Sequence, residues 1–450
     1  MDLINNLALG FGVAWAPINL LCALAGCLLG ILLGVLPGIA PIAAMAMLLP
    51  AVQALAPLPA LSLLAGLYGG ARYGGAIADI LVNRPAATPA LPSDGYARQG
   101  HPGLVLSCVT LALFFAACAG TLVWAALAPA LSQLALQWGP AELFAMLLLG
   151  LTGAVVLASG TLLKGLAMAV LGLLMGLVGT DSHSGVLRFA FGIFELSDGI
   201  GLVVLAMGLF TYGEVIRRVG LALPARALLA TPVQGLRPGL QGLKDMGPAL
   251  LRGVAAPAAA HQVGAQTAFV PLMALGIAPN AVLALVLGAM TLHGVAPGPQ
   301  LLGSKPELFW GLIAVMWIVN LMLLVLNLSL LRVWVRLLSL PYRWVFPAVV
   351  LLCAIGVYST RHSSMDVWLV AAFGLAAYVF DKLGLEPAPL LLGFVLGPLM
   401  EEQLRQALSQ GDWSSFVTRP VSAGLLLTAP VALVLLPALR SRRREVLGQD

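Results

Sequence analysis

Charged side chains are scarce in this sequence of 450 residues: Asp, Glu, Lys and Arg together make up 9% of it. Water-soluble domains carry roughly 25% charged residues. Hydrophobic residues reach 60%, and apolar runs of about 20 residues recur from end to end. The composition therefore excludes a soluble protein and predicts one that crosses the lipid bilayer many times. The net charge of +5 comes from Lys and Arg in a few connections, so it indicates orientation, not nucleic-acid binding.

Enzyme signatures are also missing. The sequence contains no G-x-x-x-x-G-K-[ST], no H-E-x-x-H and no G-x-S-x-G. The five cysteines lie in apolar segments without metal-ligand spacing, so we expect small buried side chains instead of disulfides or ligands. Glu401 and Glu402 are adjacent and would not face each other on a helix. Because they follow Gly-Pro, we expect them to open a new helix, whose first turn favours negative charge. We predict neither catalysis nor a cofactor.

Glycine and proline, by contrast, are abundant, and they interrupt the apolar runs. The first span is predicted from Phe11 to Leu36 and breaks at Pro37, Gly38 and Pro41. The short run Ile39 to Leu55 suits a re-entrant segment, and Leu58 to Val82 suits a full span. A second break is predicted at Asn83 to Pro89. Irregular backbone survives at membrane depth only where protein or a water-filled cavity surrounds it, and half-helix N-termini suit anionic groups.

Several long motifs carry a resemblance to a known family. They are GVLPGIAP from Gly34, YGGARYGGAIADILVN from Tyr68, DSHSGVLRFAFGIFELSDGI from Asp181, LGIAPNAVLALVLGAMTLHGVAPGP from Leu275, and LGLEPAPLLLGFVLGPLMEEQLRQAL from Leu383. In order and spacing these motifs resemble the large membrane subunit of the tripartite tricarboxylate transporters. The resemblance extends over nearly the whole chain.

The resemblance implies a fold and an activity. The fold is an all-α polytopic membrane protein of about 12 segments, with broken or re-entrant helices and two related halves in an inverted repeat. The activity is secondary-active uptake of a tricarboxylate-type solute across the bacterial inner membrane. The implied partners are a small four-helix membrane subunit and a periplasmic solute-binding protein, and the driving gradient is of Na⁺ or H⁺. The alternative is a divergent membrane scaffold or sensor that keeps the fold without transport.

Positive charge predicts how the chain is divided and oriented. Arg and Lys crowd the connection from Arg217 to Arg252, so we expect it to be cytoplasmic and Thr180 to Asp198 to be external. The chain then divides into an N-terminal membrane half, 1–216, the connection, 217–252, and a C-terminal membrane half, 253–450. Arg440 to Arg444 place the C-terminus in the cytoplasm.

The first-half candidates for binding a carboxylate lie at the two breaks and in the span between them. Arg72 is a charge inside a span, which is expensive unless it serves a substrate, a counter-ion or a cavity. The alternative is a pair with Asp79, two helical turns away. The polar groups near the second break could instead satisfy freed backbone groups. The predicted substrate-binding residues of this half are Pro37, Gly38, Arg72, Asn83, Arg84, Ala86 and Thr88.

Further candidates lie in the second half: His261, Gln262, Gln266, Thr267 and Asn280. Intramembrane polar residues of this kind either bind a substrate or pair between helices. No metal site is predicted, although carbonyls at unwound helix ends near Gly38, Gly276 and Pro279 could hold a coupling cation. Nothing in their spacing distinguishes sodium from protons.

The chain departs from the family pattern at three places. Arg84 and Ala86 replace Thr and Gly of an N-T-P-G-T-P pattern. Arg252, Ala258, His261 and Gln262 replace two acids and two amides of E-G-V-A-A-P-E-A-A-N-N. A second L-P-G-type break has no copy in Gln234 to Leu251, where the chain is shortened. The added positive charge suits a more highly charged anion, or else marks altered transport.

Overall fold

The computed structural model describes residues 2–36, 41–81, 102–158, 161–181, 183–219, 255–331, 333–334, 342–411 and 413–447. Helices dominate this part of the chain. They are α1 Asp2–Ala14, α2 Pro17–Val35, α3 Pro41–Gln53, α4 Pro57–Leu81, α5 Pro102–Ala135, α6 Pro140–Leu157, α7 Leu162–Gly176, α8 Leu202–Ala206, α9 Gly213–Val219, α10 Ala256–Thr267, α11 Phe269–Leu275, α12 Ala281–Leu292, α13 Leu301–Ser304, α14 Pro306–Ser329, α15 Tyr342–Arg361, α16 Ser364–Lys382, α17 Pro387–Gln410, α18 Ser415–Thr418 and α19 Pro420–Leu447.

Shorter elements complete the fold. Strands β1 Gly179–Thr180 and β2 Leu187–Arg188 pair as an antiparallel hairpin, with Gly179 opposite Arg188. A 3₁₀ turn covers Phe194–Leu196, and a π-helical turn at Met207–Tyr212 joins α8 to α9. Within the described ranges, five helical stretches are long and apolar enough to cross a bilayer, and six shorter apolar helices accompany them. The protein is therefore a multi-pass membrane protein.

The chain forms two compact units. The first contains Met1–Pro129, Glu214–Val270 and Leu301–Gly356, and the second contains Ala130–Gly213, Pro271–Gln300 and Val357–Asp450. Each unit takes residues from both predicted membrane halves. The division into 1–216, 217–252 and 253–450 concerns membrane topology and stays a prediction, and residues 220–254 lie outside the described part of the chain.

The predicted first span, Phe11 to Leu36, is wrong at its beginning. The structure instead ends α1 at Ala14 and starts α2 at Pro17. Pro17 lacks a backbone N–H, which the first turn of a helix does not need, so it is well suited to begin α2. The predicted break at Pro37, Gly38 and Pro41 falls between two helices, because α2 ends at Val35 and α3 begins at Pro41. Residues 37–40 themselves lie outside the described residues.

In the first unit, α2 and α4 meet backbone to backbone along glycines of both helices. A Cβ on Gly70 would lie 2.6 Å from the Cys27 carbonyl oxygen, and one on Gly30 would lie 2.5 Å from the Leu67 carbonyl oxygen. Real side chains do not fit such gaps. Small residues allow this close approach in membranes, where van der Waals packing replaces the hydrophobic effect as the force between helices. The seam consists of Gly26, Gly30 and Gly34 on α2 and Gly66, Gly70 and Gly74 on α4.

In the second unit, α7 and α17 also meet backbone to backbone along glycines. A Cβ on Gly176 would lie 2.6 Å from the Phe394 carbonyl oxygen, and Gly172 and Gly393 face the backbone of the opposite helix at similarly short range.

The hairpin β1–β2 packs beside α17 through an ion cluster. Arg188 bridges Asp181 and Glu401, at 2.5 and 2.7 Å, and Arg405 bridges the same two carboxylates at 3.0 and 2.6 Å.

The predicted role of Glu401 and Glu402 as a helix start is wrong. Helix α17 runs from Pro387 to Gln410 without interruption, with Pro398 inside it. Glu401 instead contributes a carboxylate to the ion cluster, and Glu402 accepts a hydrogen bond from Gln406. A proline within an apolar helix is tolerated when neighbouring groups compensate for the lost hydrogen bond, so Gly-Pro did not mark a boundary here.

Substituting a seam glycine tests the packing of the first unit. We expect Gly70→Ala to destabilise the protein by about 1–3 kcal/mol, because the added methyl group must push the Cys27 backbone away. Gly75→Ala, on the same helix with nothing within 4 Å of the new Cβ, is the matched control and should change stability by less than about 0.5 kcal/mol. Thermal unfolding in detergent measures both. Equal effects of the two substitutions would contradict the seam.

Acid should weaken the hairpin cluster. The Ser184 hydroxyl, the His183 N–H and both arginines donate to Asp181, and they hold the pKa of that carboxyl far below its usual range. Partial burial raises the pKa of Glu401, but the hydrogen bonds from Arg188 and Arg405 outweigh it and lower the pKa overall. Lowered pKa values stabilise the folded state above about pH 4, and this contribution is lost as the pH falls further.

The measurement compares thermal unfolding of the wild type and Asp181→Asn between pH 7 and pH 3. We expect the wild type to be the more stable at neutral pH and the difference to shrink in acid. A difference that does not change with pH would show that the charge of Asp181 contributes nothing.

Candidate functional site

The predicted site residues fall into three groups. Pro37 and Gly38 belong to residues 37–40, and Asn83, Arg84, Ala86 and Thr88 belong to residues 82–101; both stretches lie outside the described residues. Arg72, His261 and Gln262 lie together in the first unit. Asn280, Gly276 and Pro279 lie in the second unit. The structure therefore describes the second and third groups.

Arg72 lies on the face of α4 opposite the glycine seam. Successive helical residues turn by about 100°, so a residue two positions from both Gly70 and Gly74 points away from α2. Tyr68 is one turn earlier on the same face. The Arg72 guanidinium stacks 5.2 Å from the centre of the Tyr68 ring and donates to its hydroxyl at 3.4 Å. The packing that joins α2 to α4 therefore aims this cation toward α10.

On α10, His261 meets Arg72. Arg72 Nη1 lies 2.8 Å from His261 Nδ1. A guanidinium donates and cannot accept, so Nδ1 must accept this hydrogen bond, and the imidazole is neutral with its proton on Nε2. The sequence pointed to both residues separately, and the structure brings them into contact across 189 positions of the chain.

No acidic side chain among those described forms an ion pair with Arg72. The alternative pairing with Asp79 stays a prediction, because the Asp79 side chain is not among the described ones. The Arg72 Nε is buried and has no hydrogen-bond partner among the described groups. A cation at this position without a neutralising carboxylate is costly and is typical of a functional site.

Gln262 follows His261 and is 1% exposed. Neither its side-chain oxygen nor its side-chain nitrogen has a partner in the described part of the protein. An unpaired buried amide costs about 1–3 kcal/mol per group, so such a side chain normally serves a ligand or an ordered water. Gln262 thus offers both an unpaired donor and an unpaired acceptor on α10, one residue after His261.

A buried chain of polar side chains ties α10 to α5 and α14. Gln266 donates to Asn320 at 3.2 Å, and Asn320 donates to the Thr121 hydroxyl at 3.2 Å. Gln266 lies one turn after Gln262, and its amide oxygen is also unpaired. Neither Asn320 nor Thr121 was among the predicted site residues. Asn320 carries a usable signal, because it is an amide inside the long apolar run of α14.

Aromatic rings adjoin this polar cluster. Phe269, just after α10, stacks on Trp124 with ring centres 5.1 Å apart and meets Tyr68 edge to face at 5.6 Å. The Tyr68 hydroxyl also donates to the Ala265 carbonyl at 3.4 Å. Tyr68 therefore joins α4 to α10 as well as supporting Arg72. The rings give the site an apolar wall, in which each hydrogen bond is stronger than it would be in water.

In the second unit, the predicted break at Gly276 and Pro279 is present. Helix α11 ends at Leu275, Gly276 adopts a φ of +73°, and α12 begins at Ala281. Asn280 caps α12, since its side-chain oxygen accepts from the Leu283 N–H at 2.9 Å. That oxygen is therefore engaged in capping the helix. In the described ranges, no three His, Cys, Asp or Glu side chains cluster as metal ligands.

Comparisons with known proteins agree with this membrane architecture. The model of the tripartite tricarboxylate transporter TctA family matches residues 20–246 and 244–392. The two matched stretches meet inside the segment 234–251, where the sequence analysis found the chain shortened. No solved structure matches the chain.

Two relatives come from Agrobacterium vitis. One, an uncharacterised 52.8 kDa protein in the TAR-I ttuC' 3' region, is 42% identical, with 100% of both chains aligned. Another, an uncharacterised protein in the TAR-II ttuC' 3' region, is 48% identical over 46% of this chain and 87% of its own length. The resemblance noted in the sequence is thereby confirmed: the chain belongs to the tripartite tricarboxylate transporter TctA family, the large membrane subunits of three-part transporters.

Proposed function

We propose that the chain is the permease that carries a carboxylate, of the tricarboxylate type, across the bacterial inner membrane. A periplasmic binding protein delivers the solute, a small four-helix membrane subunit accompanies the permease, and a gradient of Na⁺ or H⁺ drives uptake. Family membership supports this function. Five candidate spans and six shorter apolar helices in the described ranges support a fold with many membrane segments. The proposal includes about 12 segments in two inverted halves, with 217–252 and the C-terminus in the cytoplasm.

One observation carries the proposal: Arg72 lies within α4 without a carboxylate partner among the described side chains. Its neighbours Tyr68 and His261 are uncharged, so they orient the guanidinium without neutralising it. A substrate carboxylate would supply the missing charge and accept a two-pronged hydrogen bond from the guanidinium. Gln262 would then direct its unpaired amide to the same guest.

The remaining predicted residues complete the proposed site. Main-chain N–H groups near Pro37 and Gly38, and at Asn83, Arg84, Ala86 and Thr88, provide further donors for the carboxylate. Asn280 and the break at Gly276 and Pro279 provide the second-half contribution, including carbonyls for a coupling cation. Relative to the family pattern, Arg84 adds a positive charge and Ala258 removes a negative one, which suits a highly charged anion. Ala86, His261 and Gln262 change the shape and the hydrogen-bonding groups of the site.

Replacing Arg72 tests the site. We expect Arg72→Gln to lower the kcat/KM for carboxylate uptake by about tenfold to a hundredfold, because a charge-assisted hydrogen bond is lost. Uptake is measured in proteoliposomes with the partner subunits and an imposed ion gradient. Arg361→Gln, which removes an exposed guanidinium at the end of α15, is the control and should transport normally. Unchanged uptake by a folded Arg72→Gln protein would disprove the assigned role.

Replacing Asn83 or Arg84 with Ala tests the second break separately. We expect a raised KM for uptake while the protein stays in the membrane in normal amounts, because the proposal assigns these side chains to substrate binding. Radiolabelled uptake and a membrane-fraction immunoblot measure the two quantities. If the wild type with all partners shows no saturable, gradient-dependent uptake, the alternative of a non-transporting scaffold or sensor replaces this proposal.

A further inference from the structure

The first unit contains a cavity with polar lining residues that have no role in the proposed transport. This cavity of about 550 Å³ lies where the turn between α1 and α2 meets the beginnings of α4 and α14. Val13, Ile18 and Leu58 give it apolar walls, and Lys305 and Glu307 give it charged ones. Arg72 is 14 residues beyond Leu58 on α4, which is about 21 Å along the helix axis. The cavity is therefore distinct from the candidate site.

The cavity lies at the depth of lipid headgroups. It lies at the N-terminal ends of α2 and α14, which are both long and apolar enough to cross a bilayer. Trp15, in the turn between α1 and α2, is 62% exposed. Exposed tryptophans in membrane proteins concentrate at the boundary between hydrocarbon and water. The ends of the two spans and the exposed tryptophan both indicate that the cavity lies at the membrane interface.

One part of the cavity suits an anionic group. Helices α2, α4 and α14 all begin at its wall, and each helix start carries about half a positive charge. The ammonium group of Lys305 adds a full charge next to the start of α14. A phosphate near these groups would be stabilised by several positive partial charges.

Another part of the cavity suits a hydrogen-bond donor. Asn19 lines the cavity, is 3% exposed, and has a side-chain oxygen without a partner among the described groups, while its nitrogen donates to the Val13 carbonyl at 2.8 Å. The unpaired oxygen can only accept. Glu307 adds a carboxylate, which also accepts. A free inorganic anion would leave both acceptors without donors.

We propose that this cavity binds the headgroup of a phospholipid that carries a primary amine, of the phosphatidylethanolamine type. The phosphate lies near Lys305 and the three helix starts, and the ammonium group donates to the Asn19 oxygen and to Glu307. The glycerol and the first acyl carbons lie against Val13, Ile18 and Leu58. A choline headgroup has the same charges but no N–H, so it cannot satisfy the buried acceptor.

The test measures lipid preference in the intact protein. Native mass spectrometry of protein released from nanodiscs counts the bound phospholipids, and thermal unfolding in the same nanodiscs measures stability. We expect phosphatidylethanolamine to bind about tenfold more tightly than phosphatidylcholine, the effect of one hydrogen bond from a charged donor. Replacing part of the phosphatidylcholine with phosphatidylethanolamine should also raise the unfolding temperature. Equal binding of the two lipids would overturn the proposal.

Variants locate the bound lipid. Glu307→Gln and Lys305→Gln change exposed side chains and should each reduce the preference severalfold, whereas the charge-matched controls Glu402→Gln and Lys382→Gln should leave it unchanged. A preference that survives both cavity variants would show that the lipid binds elsewhere and would overturn the proposal.

An experiment with soluble compounds distinguishes a lipid headgroup from a dissolved anion as the group bound in the cavity. Glycerophosphoethanolamine and citrate are added to the protein in phosphatidylcholine nanodiscs. We expect neither to raise the unfolding temperature through Lys305. Stabilisation by citrate that Lys305→Gln abolishes would show that the cavity takes an aqueous carboxylate and not a lipid. None of these measurements depends on uptake, so their outcome is independent of the proposed transport.

Discussion

The backbone contact between α2 and α4 is the constraint on which the first unit depends. Glycines at every fourth position let the two helices approach until a methyl group would touch the opposite carbonyls. This contact fixes the rotation of α4 about its own axis. It thereby decides that Tyr68 and Arg72 face α10, where His261 meets the guanidinium. A wider separation would need larger side chains in the seam, and it would let α4 rotate and carry the cation away from its partner.

In the second unit, close helix packing through glycines positions an ion cluster. Helices α7 and α17 also meet through glycines, and α17 continues beyond the contact to bring Glu401 and Arg405 to the hairpin. There, two carboxylates and two guanidinium groups neutralise one another outside the apolar segments. The charge balance of this cluster differs from that of Arg72, which has no acidic partner among the described side chains. A balanced cluster stabilises a loop, whereas an unbalanced cation inside a helix attracts an anion.

The features that sequence reasoning predicted well are those that follow from local chemistry. Composition alone indicated a membrane protein, and proline and glycine predicted the breaks at Pro37, Gly38 and Pro41 and at Gly276 and Pro279, because neither residue continues a helix readily. The charge of Arg72 and the polarity of His261 and Gln262 singled them out as candidates. Their contact was not predictable, since it joins residues 189 positions apart and depends on how α4 is rotated by the seam. Gly-Pro before Glu401 misled for a related reason: a neighbouring helix can support a proline that local rules would treat as a boundary.

Because Arg72 has no acidic partner among the described side chains, we expect the empty site and the occupied site to differ in electrostatic energy. A partly buried cation without a carboxylate partner is costly, and neither the Tyr68 ring nor a neutral imidazole removes the charge of Arg72. The cost must then be carried by the fold, chiefly by the glycine seam and by the buried amide chain from Gln266 through Asn320 to Thr121. We infer that a carboxylate guest relieves this cost when it enters, and that its departure restores the cost. Binding and release would thus change the electrostatic energy of α4 relative to its neighbours.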